Sequence, residues 1–264
     1  MKFPALVVPM SVLLPFLAVG ALTAAELKPQ TSAAFDRYIR QTEQRLDARQ
    51  IFLWADESAD RARRVRRSEV VVEPAGDKPL IPVPDGLIHD WVGTVFLPGS
   101  TLSQTIAHLQ DYNRSPSLHR EVLASRILAH DGNNFRVFMR LLKKKIITVV
   151  LDTEHDIRYT PIDQTHWKSQ SHTTKIAEVQ NPGKPDEKEL PPGTGEGFLW
   201  KLQTYWRFEQ RDGGTWIECE AISLTRDIPT GLGWLIEPII RSLPKDSLEN
   251  TLRETAAGES VRQL

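Results

Sequence analysis

Apolar residues recur with two different periods along the chain, and each period predicts a different kind of element. Over residues 33–53, 101–111 and 229–257 they return every three or four positions, which is typical of helices buried on one face. Between residues 121 and 226 apolar and polar positions mostly alternate, which is typical of strands in a half-buried sheet. The long middle segment is therefore predicted to be a sheet, with helices before and after it.

Turn sequences divide this middle segment into about six strands. Residues 131–133 (Asp-Gly-Asn) and 212–214 (Asp-Gly-Gly) predict hairpins, because these residue types tolerate positive φ angles. Another strand is predicted at 87–97. Strands joined by hairpins are antiparallel, and their sheet must cover an apolar face. The C-terminal helix, with Leu248 and Leu252 four positions apart, meets this need. We expect a curved sheet that grips this helix and leaves part of the enclosed space unfilled.

Composition shifts predict a division into four parts. Residues 74–86 hold four prolines and two glycines but few large side chains, which is typical of a linker. The predicted parts are a leader (1–25), an N-terminal helical extension with its linker (26–86), a main domain (87–257) and a flexible tail (258–264). The main domain is long enough to bury a core of its own.

The first 25 residues have the pattern of a secretory signal peptide. Lys2 precedes an apolar run, and small residues end it at Ala25, after which a cut is predicted. Prolines within the run favour cleavage over retention as a membrane anchor. Cys219 is the single cysteine, so an intrachain disulfide is excluded. We expect an exported protein of the periplasm or cell envelope.

Charge excludes some classes of partner. The chain has 33 Lys and Arg against 34 Asp and Glu, which does not fit a generally basic nucleic-acid binder. A local exception is the segment 61–67, which holds Arg61, Arg63, Arg64, Arg66 and Arg67. Acidic residues flank this segment, so it is either a compensated, solvated helix end or a weak contact for an anionic membrane surface.

No motif for catalysis or metal binding is present in the sequence. The seven histidines form no HxH or HExxH pattern, and no GxSxG, P-loop or GxGxxG motif occurs. Asp152, Glu154 and Asp156 alternate on one face of a strand, where they either bind a hard cation or form a solvated strand end. We predict no metal and no cofactor.

Aromatic residues indicate where a ligand binds. Trp and Tyr line apolar pockets well, although they also fill cores. Small residues alternate from 217 to 223 on the neighbouring strand of the last hairpin, where they either let a helix approach closely or leave a cavity. An arginine or tyrosine inside such a cavity offers one polar contact. The predicted ligand-binding residues are Trp91, Phe138, Arg140, Trp200, Tyr205, Trp206, Arg207 and Trp234.

Four segments resemble the helix-grip superfamily, which comprises START-like and pollen-allergen-like domains and is also called SRPBCC. They are LIHDWVGTVFLPGSTL at 87–102, LQDY at 109–112, the strands at 135–159, and FLWKLQTYWRFEQRDGGTWIECEAISLTRDIPTGLGWLIEP at 198–238. The resemblance covers residues 87–257, and its nearest likeness is to exported bacterial members. It implies an α+β fold whose last helix borders the mouth of a cavity.

Three hypotheses about function follow from these observations. The first is a module without catalytic activity that binds an apolar small molecule or lipid between the sheet and the C-terminal helix. The second is a cyclase- or lyase-like enzyme that uses the same cavity. The third is an envelope interaction protein with a filled interior that acts through the segment 61–67. The fold alone does not choose among them.

Overall fold

The computed structural model describes residues 25–144, 148–228 and 233–262, with the backbone alone for 233–241 and 259–262. The predicted leader lies outside these residues, apart from Ala25. The helices are α1 (Pro29–Ala48), α2 (Ala59–Arg66), α3 (Leu102–Gln110), α4 (Ser115–Leu118) and α5 (Gly233–Arg262). The strands are β1 (Val71–Pro74), β2 (Leu80–Val83), β3 (Gly86–Pro98), β4 (Val122–Asp131), β5 (Asn134–Lys144), β6 (Thr148–Pro161), β7 (His166–Gln180), β8 (Lys188–Glu189), β9 (Lys201–Arg211) and β10 (Gly214–Arg226).

The strands that the structure describes form one antiparallel sheet. Its order is β1-β3-β10-β9-β7-β6-β5-β4, while β2 pairs with β3 and β8 pairs with β7. The predicted α+β class, with an antiparallel sheet and a C-terminal helix, is confirmed. The predicted count of six or seven strands is too low, because the described sheet has ten. The short strands β2 and β8 are stabilised by pairing with longer neighbours, which local sequence does not reveal.

Two layers of helices cover the two faces of the sheet. We call the face toward α5 the inner face, and the face toward α1 and α2 the outer face. Phe35 of α1 packs with Ile88 of β3, and Val65 of α2 packs with Val92 of the same strand. Twelve of the thirteen residues of β3 are buried, because this strand is covered on both faces.

The helix α5 makes its closest contact with the sheet at Gly93. A Cβ atom at this position would lie 2.6 Å from Leu252 Cδ1 and 3.0 Å from Val72 Cγ2. Leu248 and Leu252 are both buried there, which confirms the apolar spacing predicted for this helix. The helix is continuous through Pro244.

Residues 29–66, which we call the N-terminal layer, are joined to the outer face by polar contacts to carboxylates that are buried in the sheet. Arg49 pairs with Glu218, and Arg45 pairs with Glu220. The Tyr38 hydroxyl donates to Asp90 Oδ2 at 2.8 Å. The segment predicted to precede the main domain therefore packs against it.

Helices α3 and α4 close one end of the inner face. The N-cap of α3 is Thr101, which forms a reciprocal capping box with Gln104, and Gln210 Oε1 accepts a hydrogen bond from Leu102 N at 2.9 Å. These contacts fix α3 against β9, so that the residues after it turn their side chains toward the inner face. Tyr112, which follows α3 closely, is buried there.

Candidate ligand cavity

A cavity of about 530 Å³ lies between the inner face of the sheet and α5. The helix packs on β3 through Leu248 and Leu252, at one side of the sheet. Strands β5, β6, β7 and β9 lie further across the sheet and contribute walls that the helix does not fill. The helix therefore grips one side of the sheet and leaves a space over the middle.

Small side chains in adjacent strands explain the depth of the cavity. Ala221 of β10, Thr204 of β9 and Ser171 of β7 lie opposite one another in register, and all three line the space. Cys219 and Ser223, on either side of Ala221 along the same face, line it as well. A row of small residues across a sheet leaves a groove, because larger side chains on either side keep the covering helix at a distance.

The cavity walls are mainly apolar. Aliphatic side chains from β5 and β6 form one wall, and aromatic side chains from β9 form another. The apolar wall residues include Met139, Leu141, Leu151, Ile157, Trp206 and Phe208. Such a surface favours an apolar ligand, because its burial removes hydrocarbon from water at about 25 cal/mol per Å².

Two tyrosines form the main polar contact inside the cavity. The hydroxyls of Tyr112 and Tyr159 lie 2.8 Å apart, and both side chains are buried. Burial raises the pKa of Tyr159 to about 12, and it also raises the pKa of Tyr112 well above its ordinary value. Both hydroxyls are therefore protonated at neutral pH, and Ser169 is a further hydrogen-bonding neighbour of Tyr159. The group is a neutral hydroxyl cluster.

His155, a buried residue of the cavity wall, is neutral too. His155 Nε2 lies 2.9 Å from Thr153 Oγ1. Burial lowers the pKa of His155 to about 4, so its imidazole is uncharged at pH 7. The charged lining residues are partly exposed instead, as in the ion pair of Lys143 with Glu121, where Lys143 Nζ also donates to Ser247 Oγ of α5 at 2.9 Å. Charge is thus concentrated at the rim of the cavity.

The predicted site residues are divided between the two faces of the sheet. Trp206 lines the cavity. Trp91 lies on the same face but packs in the core with Leu248 and Leu252. Of the predicted residues whose side chains the structure describes, Trp206 alone contributes to the cavity wall. Trp234 lies outside the residues with described side chains.

Two predicted polar contacts, Tyr205 and Arg207, lie on the outer face. Adjacent residues of a strand point to opposite faces, so the inward position of Trp206 directs both of them outward. Tyr205 donates to Glu43 Oε1 at 3.0 Å, and Arg207 donates to the carbonyl oxygens of Leu46 and Phe52 at 2.8 and 2.9 Å. Tyr205 and Arg207 therefore contact the N-terminal layer, and the prediction that they lie inside the cavity is wrong. Trp200, just before β9, likewise packs on that layer.

The predicted residues of β5 also lie on the outer face. Arg140 makes two hydrogen bonds of 2.7 Å to the carboxylate of Asp152 and one of 2.9 Å to Glu187. The Phe138 ring lies 4.0 Å from the guanidinium of Arg126. The carboxylate of Asp152 is thus used in an ion pair. The described residues contain no cluster of three or more side chains that fits a metal ion.

Several cavity residues were missed from the sequence. Tyr159, Ile157 and His155 alternate along β6, and Ser169 and Ser171 alternate along β7. A strict period of two, applied from Ile157, assigns the three residues of β6 to one face, and the pairing of Ile157 with Ser171 and of Tyr159 with Ser169 places the two serines on it. The sequence pattern separates residues 145–153 from 157–161, whereas the described strand runs continuously from Thr148 to Pro161.

The arginine-rich segment is largely paired. The Arg61 guanidinium lies 3.4 Å from the centre of the Trp54 ring and pairs with Glu73 at 3.2 Å. Arg66 pairs with Asp212 at 3.0 Å. Arg63 and Arg64 pair with Asp60 and Glu69. This is the pattern of a compensated helix, and a contact with anionic lipid through this segment remains a prediction.

The antiparallel sheet, the C-terminal helix and the space between them together define a helix-grip fold with a cavity suited to an apolar ligand. The sequence matches no known family model and no curated protein. Its fold is similar to those of TTHA0849 from Thermus thermophilus (11% identity, TM-score 0.46, covering 63% of this chain and 93% of that one) and the STAR-related lipid transfer protein from Xanthomonas axonopodis (14%, 0.42, 69% and 98%). The Zhui aromatase/cyclase from Streptomyces sp. R1128 is also similar (13%, 0.45, 67% and 96%).

The likeness of these three structures concerns the overall fold alone. Their identities are low, and no activity is transferred from them to this chain.

A separate observation concerns the membrane. Among the described residues, no helix has both the length and the apolar composition needed to cross a bilayer.

Proposed function

We propose that this chain is an exported START-like protein that binds one apolar small molecule or lipid in the cavity between the sheet and α5. The single observation that carries this proposal is the 530 Å³ space with mainly apolar walls. The proposed export depends on the leader pattern of residues 1–25. A protein with a filled interior, the third of the sequence hypotheses, is disfavoured by the same space.

The size of the cavity limits the ligand. A methylene group is similar in size to a water molecule, which occupies about 30 Å³ in the liquid. A volume of 530 Å³ therefore accepts about 18 groups of this size. This fits a single acyl chain or a compact fused-ring molecule better than a phospholipid with two long chains.

The polar groups indicate the chemistry of the ligand's polar end. The deep walls offer the hydroxyls of Tyr112 and Tyr159 and the neutral imidazole of His155, while charged residues lie at the rim. A buried ionised headgroup would lack a countercharge at that depth. The expected ligand has a neutral oxygen, such as a hydroxyl or carbonyl, beside the tyrosine pair.

Ligand binding is tested by native mass spectrometry of the purified protein followed by extraction of bound lipid. Ala221→Phe places a ring in the middle of the cavity, whereas Ala257→Phe adds the same ring at an exposed position of α5. We expect a co-purifying apolar species in the wild type and in Ala257→Phe, and its loss in Ala221→Phe. Absence of any such species from wild-type protein prepared from several membrane-containing extracts would contradict the proposal.

A cyclase- or lyase-like enzyme is the second candidate, because the hydrogen-bonded pair of Tyr112 and Tyr159 is able to donate a proton to a bound carbonyl oxygen. Its partner base is less evident, since His155 has a low pKa of about 4. Tyr159→Phe separates the two candidates. Chemical change of an extracted ligand by the wild type, lost in the variant, would favour the enzyme.

A further inference from the structure

The edge strand β4 exposes two leucines that take no part in the core. Leu123 and Leu128 are 48% and 41% exposed. The pairing of β4 with β5 shifts register at both positions, so each leucine lies in a β-bulge. The two lie about 16 Å apart along the edge, since five residues of a strand span ~3.3 Å each. Both leucines lie on the terminal strand of the described sheet, where an exposed side chain is available to a partner.

Three exposed cations lie on β4 or near its start. The Arg120 side chain is 95% exposed, and Arg126 and Lys144 are exposed as well. Arg126 and Lys144 have no carboxylate partner among the residues that the structure describes. We call Arg120, Leu123, Arg126, Leu128 and Lys144 the β4 patch.

Acidic neighbours compensate the β4 patch only in part. Glu254 lies 3.7 Å from the Arg120 guanidinium, and Glu121 is engaged with Lys143. Asp131, at the end of the strand, is exposed. The charge of the patch is therefore positive, although the charge of the whole chain is −1.

We propose that the β4 patch docks this protein on an anionic lipid surface, with its two leucines in the interfacial region and its three cations beside the phosphates. Apolar side chains inserted beside Lys and Arg are the combination that binds such surfaces. Pairing of β4 with a strand of a second copy is disfavoured, because both bulges interrupt the edge and the cations of two copies would repel.

The β4 patch adjoins the cavity. Glu121 and Val122, which immediately precede Leu123, belong to the cavity lining. Docking through the patch therefore brings this side of the cavity close to the lipid surface. The proposal does not depend on what the cavity binds, and it also holds for a protein whose cavity remains empty.

The test is co-sedimentation of the full chain with vesicles of phosphatidylcholine, with or without phosphatidylglycerol. The variant Leu123→Asn/Leu128→Asn removes the apolar pair without adding charge. Its matched control, Ile51→Asn/Ile162→Asn, removes two equally exposed isoleucines elsewhere, at 42% and 51% exposure. We expect the wild type and the control to bind anionic vesicles alike, and the leucine variant to bind at least about tenfold more weakly. Binding is also expected to weaken with salt.

Three of the results that would overturn the proposal are equal binding of the wild type to neutral and anionic vesicles, equal loss in both double variants, or a wild-type dimer that the leucine variant converts to a monomer. The last result would assign the patch to a second copy. Native mass spectrometry of the leucine variant separates this proposal from ligand binding. A retained ligand with lost vesicle binding supports docking, and unchanged vesicle binding by this variant overturns docking whether or not the ligand is retained.

Discussion

One buried ion pair joins the N-terminal layer to the sheet, and its removal is expected to be costly. Arg49 Nη2 lies 2.8 and 2.9 Å from the two carboxylate oxygens of Glu218, and the two side chains are 10% and 2% exposed. Arg49→Met keeps the aliphatic stem but leaves the carboxylate buried without this partner. Breaking such a pair from one side costs about 3–5 kcal/mol.

Glu218 keeps other contacts in Arg49→Met, so the expected loss of stability lies near the lower end of this range. Glu218 still accepts a hydrogen bond from the Trp54 backbone N–H, so we expect a loss of about 3 kcal/mol in the free energy of unfolding. For a domain of this size 1 kcal/mol corresponds to a Tm change of about 2–4 °C, which gives a decrease of about 6–12 °C.

The expected loss depends on pH. Burial raises the pKa of Glu218 above its ordinary value even beside Arg49, and the loss of that guanidinium raises it further. A carboxyl whose folded pKa exceeds its unfolded pKa contributes stability that is present below the unfolded value and is lost as pH rises through the folded value. The effect of Arg49→Met is therefore larger at pH about 8 than at pH about 5.

The assay is thermal and urea unfolding of the wild type, Arg49→Met, Glu218→Gln and the double variant at both pH values. Glu218→Gln in the Arg49→Met background removes the unpaired charge and keeps an oxygen for the Trp54 N–H, so most of the stability is expected to return. A Tm of Arg49→Met equal to that of the wild type at the higher pH would refute the reasoning, as would a double variant no more stable than Arg49→Met.

Three further predictions concern other parts of the molecule. Gly93→Ala places a methyl group 2.6 Å from Leu252 Cδ1, and we expect a loss of about 1–3 kcal/mol in urea unfolding; unchanged stability would show that α5 yields at this contact. Burial, and after it the charge of Glu220, raises the pKa of Asp90 to about 7. The stability of the wild type should therefore fall relative to that of Asp90→Asn as pH rises from about 5 to about 8, and a difference independent of pH would contradict this. Tyr159→Phe leaves the buried Tyr112 hydroxyl without its partner at 2.8 Å and should cost about 1–3 kcal/mol in thermal unfolding. Ligand release in native mass spectrometry should become easier in this variant, and ligand retention equal to that of the wild type would exclude the hydroxyl pair as a ligand contact.

The main elements of the fold were predictable because they depend on local pattern. The alternation of β5 and β10, the Asp-Gly turns and the capping box of α3 are each encoded within about a dozen residues. The short strands were not, since β2 and β8 exist only through pairing with β3 and β7. Residues 74–86 have the composition of a linker, yet they contain β2.

Individual site residues were harder to predict than the presence of a cavity. Aromatic type alone does not tell which face of a strand a side chain occupies, and Tyr205 and Trp206, one position apart, have opposite surroundings. The outer face is polar and aromatic because the N-terminal layer covers it. That layer came from a segment expected to lie outside the domain.

The amino-acid sequence by itself determined the antiparallel strands, the apolar stripe of the last helix and the small residues that make room beneath it, because backbone propensity and periodicity act over short distances. Only the tertiary structure decided which face of the sheet each helix covers. That choice depends on contacts between distant segments, such as Arg49 with Glu218 and Leu252 with Gly93. It placed Arg140 and Arg207 outside the cavity, and it brought Tyr112 and Tyr159 together inside it.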